Sequence, residues 1–172
     1  MFLIGMSVFI TCMVITAIIT DITTYIIPNL LVIIILLCYP IIVLMAHVTA
    51  HPMPDWQMGL LFGAGTFLVG FVLFAIKAMG GGDVKLLAVI ALYAGKSAFL
   101  PFIVTTAILG GVLSIFLLIT RPIALYVYGR LGKTPADIPR ILSSGAPVPY
   151  GVAIGFSFIF LIWTGEIAGI AL

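Results

Sequence analysis

Long apolar runs separated by short polar breaks dominate the chain. They occupy residues 2–20, 28–47, 58–76, 84–95, 98–119 and 149–171. Because a helix needs about 20 residues to cross the hydrocarbon core of a bilayer, most of these runs are long enough for one crossing each. The fourth run is shorter, and it crosses only if protein or water surrounds its ends or if its helix continues further. The pattern predicts an all-α, polytopic membrane protein with six transmembrane helices, in a single domain over residues 1–172.

The composition excludes a water-soluble domain. Hydrophobic residues make up 64% of the chain and charged residues only 7%, whereas soluble domains carry about 25% charged residues. The formal net charge of +2 gives no reason to expect a nucleic-acid partner.

The first run lacks a basic start and a small-residue cleavage site, so we interpret it as a membrane helix rather than a removed signal peptide. Cys12 and Cys38 lie inside apolar runs without CxxC or zinc spacing, so we expect both to be buried packing residues.

The basic residues predict which helix ends face the cytoplasm. With six crossings, the breaks at 20–27, 77–83 and 120–148 lie on one side of the membrane. That side, with the helix ends beside it, carries Lys77, Lys85, Arg121, Arg130, Lys133 and Arg140, and the other side carries Lys96 alone. Because cytoplasmic loops are enriched in Lys and Arg, we expect the first side to be cytoplasmic. The polar stretch 120–151 then lies along the cytoplasmic interface.

Two of the acidic residues adjoin apolar runs on the predicted cytoplasmic side. Asp21 follows the first run, and Asp83 follows the glycines of GGGD (80–83). Ionisable groups at such positions are costly and often functional. Two neighbouring carboxyl groups can activate water, one as a base and one as the acid that polarises a carbonyl group. The glycines would let an extended peptide approach Asp83, although a Gly-rich turn with Asp83 as a helix cap explains the same residues.

Three motifs follow one another along the chain: DITTYIIPN (21–29), GGGDVKLL (80–87) and VPYGVAIG (148–155). In this order they resemble the type IV prepilin peptidases, which are membrane aspartic proteases with a GxGD motif. The resemblance is closest to the short, peptidase-only members of tight-adherence and Caulobacter-type pilus systems.

The resemblance implies roles for individual residues. Asp21 and Asp83 would be the catalytic pair, and Gly80 and Gly82 would shape the loop before Asp83. Lys85 matches a lysine of the family, and three roles stay open for it: tuning of the aspartates, substrate binding and positive-inside anchoring.

The resemblance also implies an activity. The chain would remove the leader from prepilin or pseudopilin substrates at the cytoplasmic face of the bacterial inner membrane. Such substrates have a short basic leader, a glycine before the cut and then an apolar helix. No cofactor or metal is required, and the other expected partner is the lipid bilayer. Because no extended insert precedes Asp21, N-methyltransferase activity is not expected. Tyr25 stands where many members have a basic residue, so an electrostatic contact of the family is missing there.

The residues leave other functions open. A small transporter or channel subunit would use Asp21 and Asp83 to bind ions or protons, and a non-catalytic assembly protein of a secretion machine would use neither. A larger GxGD protease of the presenilin type lacks the IIPN and VPYG signatures. His47 and His51 are four residues apart, but no carboxylate lies at ligand spacing, so we expect no metal site. The oligomeric state does not follow from the residues.

Overall fold

The computed structural model describes residues 2–49, 54–134, 137–143 and 145–167, which form helices joined by short connections. The α-helices are α1 (Phe2–Thr24), α2 (Asn29–Val48), α3 (Trp56–Ala75), α4 (Gly81–Arg130) and α5 (Tyr150–Trp163), and a 3-10 helix covers Arg140–Leu142. No strand occurs in these described ranges, and the all-α prediction is confirmed. Helices α1 to α4 are long and apolar enough to cross a membrane, whereas α5 has 14 residues. Helix length alone therefore does not confirm six crossings, and that number stays a prediction.

Gly95 divides α4 into two antiparallel arms, which we call the N-terminal arm (81–94) and the C-terminal arm (96–130). Its φ of 56° and ψ of −155° interrupt the helix, and glycine adopts such a positive φ without a steric penalty. Asp83 before the turn and Gly110 after it both lie near Tyr150 at the start of α5. The chain therefore doubles back at Gly95, which agrees with the predicted break between the fourth and fifth apolar runs.

The C-terminal arm is longer than the apolar pattern predicts. We expected this helix to end near residue 119 and the stretch 120–151 to lie along the interface, but the helix continues to Arg130. At a rise of 1.5 Å per residue the arm is about 50 Å long, which exceeds the roughly 30 Å of bilayer hydrocarbon. Pro122 lies inside this helix without ending it. The last predicted run, 149–171, contains α5, and its residues 168–171 lie outside the described part of the chain.

A stripe of small residues on α3 lets the N-terminal arm of α4 approach closely. The stripe consists of the buried residues Gly59, Gly63, Thr66 and Gly70. A Cβ atom added to Gly59 would lie 2.6 Å from the carbonyl oxygen of Leu92, and one added to Gly70 would lie 2.7 Å from Val84. Small residues at this spacing allow helix backbones to pack tightly in membranes. The packing extends along the arm from Leu92 to Val84 in its first turn.

The other sides of the N-terminal arm are covered by α2 and α5. The Tyr93 hydroxyl donates a hydrogen bond of 2.6 Å to the carbonyl oxygen of Ile35 in α2. The Tyr93 ring also packs edge-on against Tyr39 and Phe158, with centroid distances of 5.0 Å and 5.8 Å. The short fourth run is thus a helix surrounded by protein, the condition under which we expected so short a run to be tolerated.

The outer surfaces of the helices are apolar. Leu44, Leu61 and Leu68 are each at least 60% exposed, and many other large apolar side chains point outward in the same way. Lipid, rather than water, is the environment that such a surface fits.

The two cysteines differ in exposure: Cys38 is buried, but Cys12 is exposed. The expectation of two buried cysteines was wrong for Cys12, because an apolar position on a lipid-facing helix need not point into the core.

Candidate active site

Asp21 lies in the last turn of α1, on the face of the helix that packs into the protein. Val14, Ala17 and Ile18 precede it on that face at helical spacing. As a result the Asp21 side chain is only 4% exposed. Its Oδ2 atom has no hydrogen-bond partner among the residues that the structure describes. Unpaired buried polar atoms are rare in native proteins and often belong to groups with a chemical role.

Asp83 lies in the first turn of α4, three residues after the N-cap residue Gly80. Its carboxyl group faces back toward the backbone N–H of Gly80, as in a capping box. A Cβ atom on Gly80 would lie 2.8 Å from Asp83 Oδ2. Because the φ of Gly80 is −69°, glycine is needed here for space rather than for an unusual backbone angle. Gly80 rather than Asp83 is thus the N-cap residue of α4, and Asp83 lies in the first turn with its carboxyl group directed toward the N-cap N–H.

Ile27 connects the three sequence motifs. A Cβ atom on Gly82 would lie 3.2 Å from Ile27 Cβ, and one on Gly151 would lie 2.9 Å from Ile27 Cδ1. The buried Ile27 side chain therefore packs between the start of α4 and the start of α5. Gly82, which we expected to shape the loop, provides room for this side chain. The motifs at 21–29, 80–87 and 148–155 thus meet at one end of the bundle.

A cavity of about 510 Å³ opens where the motifs meet, and we call it the site cavity. Both Asp21 and Asp83 line it. The other described lining residues are Tyr25, Phe74, Lys77, Ala78, Met79, Gly80, Pro147, Val148 and Tyr150. A cleft of about 520 Å³ between α2 and α3 is similar in size, but its described lining contains no carboxyl group. The site cavity therefore combines a volume of this size with two carboxyl groups in its described lining.

The start of α5 points backbone N–H groups at both carboxyl groups. The N–H of Gly151 faces Asp21 and Asp83, and the N–H of Val152 faces Asp21. These amides approach the Asp21 carboxyl group without a well-formed hydrogen bond to Oδ2. Because a helix N-terminus carries partial positive charge, α5 favours negative charge in the site cavity. A Cβ atom on Gly151 would lie 2.7 Å from Asp21 Oδ2, so a larger residue has no room.

The two lysines near the site differ in their relation to the cavity. Lys85 Nζ donates a hydrogen bond of 2.9 Å to Asn29 Oδ1, and Lys85 is not among the described residues that line the cavity. Lys77, which we considered only as a charge of the cytoplasmic side, lines the cavity. It has a φ of 61°, and such strained residues cluster at functional sites. Lys77 stands only three residues before the motif at 80–87, but its charge alone predicted no contact with the cavity.

Arg121 holds the wall of the cavity that precedes α5. Its Nε donates a hydrogen bond of 3.2 Å to the carbonyl oxygen of Ile141, and its Nη2 donates one of 2.9 Å to that of Pro147. Pro147 and the adjacent Val148 line the cavity. The sequence analysis considered Arg121 only as one of the positive charges on the predicted cytoplasmic side. Its contacts depend on the unexpected extension of α4 past residue 119.

In the described ranges no three His, Cys, Asp or Glu residues lie close enough together to hold a metal ion. His47 is described, but His51 lies outside the described residues. The predicted independence from metals and organic cofactors stays a prediction.

A family model for the type IV leader peptidase family matches residues 8–115. The match covers more than half of the chain and includes Asp21, Asp83 and the first two motifs. No curated protein and no solved structure matches the chain significantly. The matched family indicates a peptidase with a role in leader processing, and the apolar helices agree with a membrane protein. The chain therefore belongs to the type IV leader peptidase family.

Proposed function

We propose that the chain is an aspartic endopeptidase that removes the leader from type IV prepilin-like substrates, with Asp21 and Asp83 as its catalytic pair. One observation carries the proposal: two carboxyl groups that are far apart in the sequence line the same cavity and face the same backbone N–H, that of Gly151. Membership of a leader peptidase family supports the choice of a peptide as substrate.

The proposed reaction uses water and one shared proton. Two carboxyl groups a few ångströms apart do not both ionise easily, so the pair retains a proton. The ionised carboxyl takes a proton from water as the water oxygen bonds to the carbonyl carbon of the scissile amide. The protonated carboxyl donates its proton to the carbonyl oxygen. In the collapse of this tetrahedral intermediate the C–N bond breaks: the carboxyl that took a proton from water gives it to the leaving amine, and the other carboxylate takes back the proton from a hydroxyl group of the intermediate. The scheme needs no metal or organic cofactor.

The same proposal includes a six-crossing topology with the site cavity at the cytoplasmic face of the bacterial inner membrane. The reversal at Gly95 supports two separate crossings by α4. The charge distribution supports the orientation, because Lys77 and Arg121 lie at the cavity end of the bundle and Lys96 lies beside the reversal at the opposite end. The apolar helix of a substrate would then enter the bilayer while its basic leader stays in the cytoplasm. The scissile bond would reach the boundary where the cavity opens.

We also propose a single peptidase domain of the short, peptidase-only type without N-methyltransferase activity. Support comes from the sequence, in which Asp21 follows the first apolar run without an extended cytoplasmic insert. Incubation of the purified protein with processed pilin and a methyl donor tests this part. Transfer of a methyl group to the new N-terminus would contradict it.

Co-expression with a prepilin that carries a basic leader tests the central proposal. The unaltered protein should remove the leader, and Asp21→Asn and Asp83→Asn should each reduce cleavage at least about a hundredfold. Asp137→Asn is the matched control, because Asp137 accepts its hydrogen bonds from Thr134 and lies outside the described cavity lining. Unfolding temperatures show whether the variants are folded. Cleavage retained in both Asn variants would reject the catalytic assignment, and cation flux without cleavage would favour a transporter.

Single cysteines in a cysteine-free background test the topology. Lys133→Cys should react with an impermeant thiol reagent only when the cytoplasmic side is accessible, and Lys96→Cys only when the outer side is accessible. Labelling of both positions from the same side would exclude six crossings in the proposed orientation.

A further inference from the structure

Tyr25 follows Asp21 by about one helical turn and has a backbone conformation that aromatic residues rarely adopt. Its φ is 57°, in the left-handed region, and its N–H donates a hydrogen bond of 2.9 Å to the carbonyl oxygen of Asp21. Such conformations persist only where the surrounding structure holds them, and they cluster at functional sites. At the end of this turn the Tyr25 side chain lines the site cavity.

The Tyr25 hydroxyl is an unpaired polar group in this cavity. Its oxygen is buried and has no hydrogen-bond partner among the described residues, a property that it shares with Asp21 Oδ2. The other two such atoms in the described part of the chain belong to Tyr39 and Thr106, which do not line the cavity. Because buried hydroxyl groups are normally paired, an unpaired hydroxyl on a residue that lines the same cavity as two carboxyl groups points to a ligand that pairs with it.

The surroundings of Tyr25 keep its hydroxyl protonated. Burial raises the pKa of Tyr25 above its ordinary value; the guanidinium groups of Arg121 and Arg140 oppose this rise, and the charge of Asp21 adds to it. Since an ordinary tyrosine has a pKa of about 10, the phenol remains a hydrogen-bond donor at neutral pH. In its role as a donor the phenol can bind an acceptor such as a carbonyl oxygen.

We propose that the Tyr25 hydroxyl donates a hydrogen bond to a backbone carbonyl oxygen of the substrate next to the scissile amide. An extended peptide presents a backbone carbonyl roughly every 3.3 Å, so a peptide positioned against Asp21 and Asp83 offers an acceptor near this turn. The hydrogen bond holds the peptide in register with the two carboxyl groups. This inference rests on the proposed function, since it requires a peptide ligand, and it adds a substrate-binding residue to the catalytic pair.

Tyr25→Phe tests the inference, because it removes the hydroxyl and keeps the ring. The assay measures steady-state cleavage, by the purified protein, of a prepilin-type polypeptide with a short basic leader and a glycine before the cut. We expect KM to rise roughly 5- to 20-fold with kcat changed less than twofold, which is the effect of losing one neutral binding hydrogen bond. The unfolding temperature should stay the same or rise, because the deleted hydroxyl has no partner in the folded protein.

Tyr126→Phe is the matched control. It removes an exposed hydroxyl on the C-terminal arm, outside the described cavity lining, and should leave KM and kcat unchanged. An unchanged KM in Tyr25→Phe overturns the inference. A fall in kcat together with a lower unfolding temperature also overturns it, because that result assigns the hydroxyl a structural role.

The same assay separates this inference from the proposed function. If Asp21→Asn and Asp83→Asn retain cleavage, the proposed function fails and the inference fails with it. If both lose cleavage while Tyr25→Phe keeps the KM of the unaltered protein, only the role of Tyr25 is rejected.

Discussion

Lys85 and Asn29 are joined by a hydrogen bond of 2.9 Å between Nζ and Oδ1. The pair connects the first turns of α4 to the first residue of α2, and thereby links the GGGDVKLL motif to the IIPN motif. Both side chains are exposed on the protein surface. The sequence left three roles open for Lys85: tuning of the aspartates, substrate binding and anchoring. The hydrogen bond to Asn29 adds a fourth role, in which Lys85 joins the start of α4 to the start of α2.

Removing either partner of this hydrogen bond should weaken the same link. We expect Lys85→Met and Asn29→Ala to show a coupling energy of about 0.6 kcal/mol in a double-mutant cycle, the average for polar helix contacts in membranes. Thermal or denaturant unfolding in detergent measures it. Lys133→Met is a control, because Lys133 lies beyond the end of α4. Additive effects of the two substitutions would show that the bond contributes nothing to stability.

Substitution of Gly151 should disturb Asp21 directly. The Cβ atom of Gly151→Ala would lie 2.7 Å from Asp21 Oδ2 and 2.9 Å from Ile27 Cδ1, so one of these side chains must move. We expect an overpacking cost of about 1–3 kcal/mol and a tenfold or larger loss of leader cleavage.

Gly111→Ala is the matched control for Gly151, since it adds the same methyl group to a helix with no other group within 4 Å. It should be neutral or slightly stabilising, because alanine favours helix over glycine. Equal unfolding temperatures and equal activities for the two variants would contradict the close approach of Gly151 to Asp21.

Loss of the Arg121 guanidinium should loosen the cavity wall before α5. Arg121→Gln removes the hydrogen bonds to the carbonyl oxygens of Ile141 and Pro147. Because Arg121 is partly exposed, we expect a modest loss of about 1 kcal/mol in stability, with faster hydrogen exchange at residues 140–143. Leader cleavage should fall several-fold.

Arg130→Gln provides the comparison for Arg121, because Arg130 contacts Tyr126 at the exposed end of α4. It should leave exchange at residues 140–143 unchanged. If hydrogen exchange at residues 140–143 rises equally in Arg121→Gln and Arg130→Gln, then Arg121 does not hold this wall of the cavity.

Gly59 should tolerate no side chain, unlike Gly65 in the same helix. A Cβ atom on Gly59 would meet the carbonyl oxygen of Leu92 at 2.6 Å, whereas one on Gly65 would meet nothing within 4 Å. We expect Gly59→Ala to lower the free energy of unfolding by about 1–3 kcal/mol and Gly65→Ala to leave it nearly unchanged. Thermal unfolding in detergent distinguishes them, and similar stabilities would disprove the tight packing of α3 on α4.

The apolar pattern was sufficient to predict the helices, because burial in lipid or protein imposes the same hydrophobicity on whole runs. It also predicted the break at Gly95. The pattern placed the end of the fifth helix too early, because it took the polar residues from Thr120 onward as the end of the helix. Arg121 and Pro122 in fact lie inside the long C-terminal arm. The pattern also could not tell a lipid-facing side chain such as Cys12 from a core side chain such as Cys38.

The motifs predicted that Asp21 and Asp83 belong together, and both line the site cavity. The rest of the site depends on contacts between residues distant in the sequence. The approach of the Gly151 amide to both carboxyl groups follows from where α5 begins relative to α1. The position of Tyr25 follows from a single strained φ, for which an aromatic residue carries no sequence signal.

Two short elements begin at the site, α5 with its 14 residues and the N-terminal arm of α4 at Gly81. Each is about 21 Å long at 1.5 Å per residue, against a hydrocarbon thickness of about 30 Å. The N-terminal arm is covered by protein, but α5 exposes Phe156, Phe160 and Trp163, so in a bilayer its short length would draw the adjoining lipid headgroups inward or admit water around its start. If α5 crosses the membrane as proposed, we expect the depth of the two carboxyl groups to depend on the acyl-chain length of the host membrane, with shorter lipids bringing them nearer to bulk solvent.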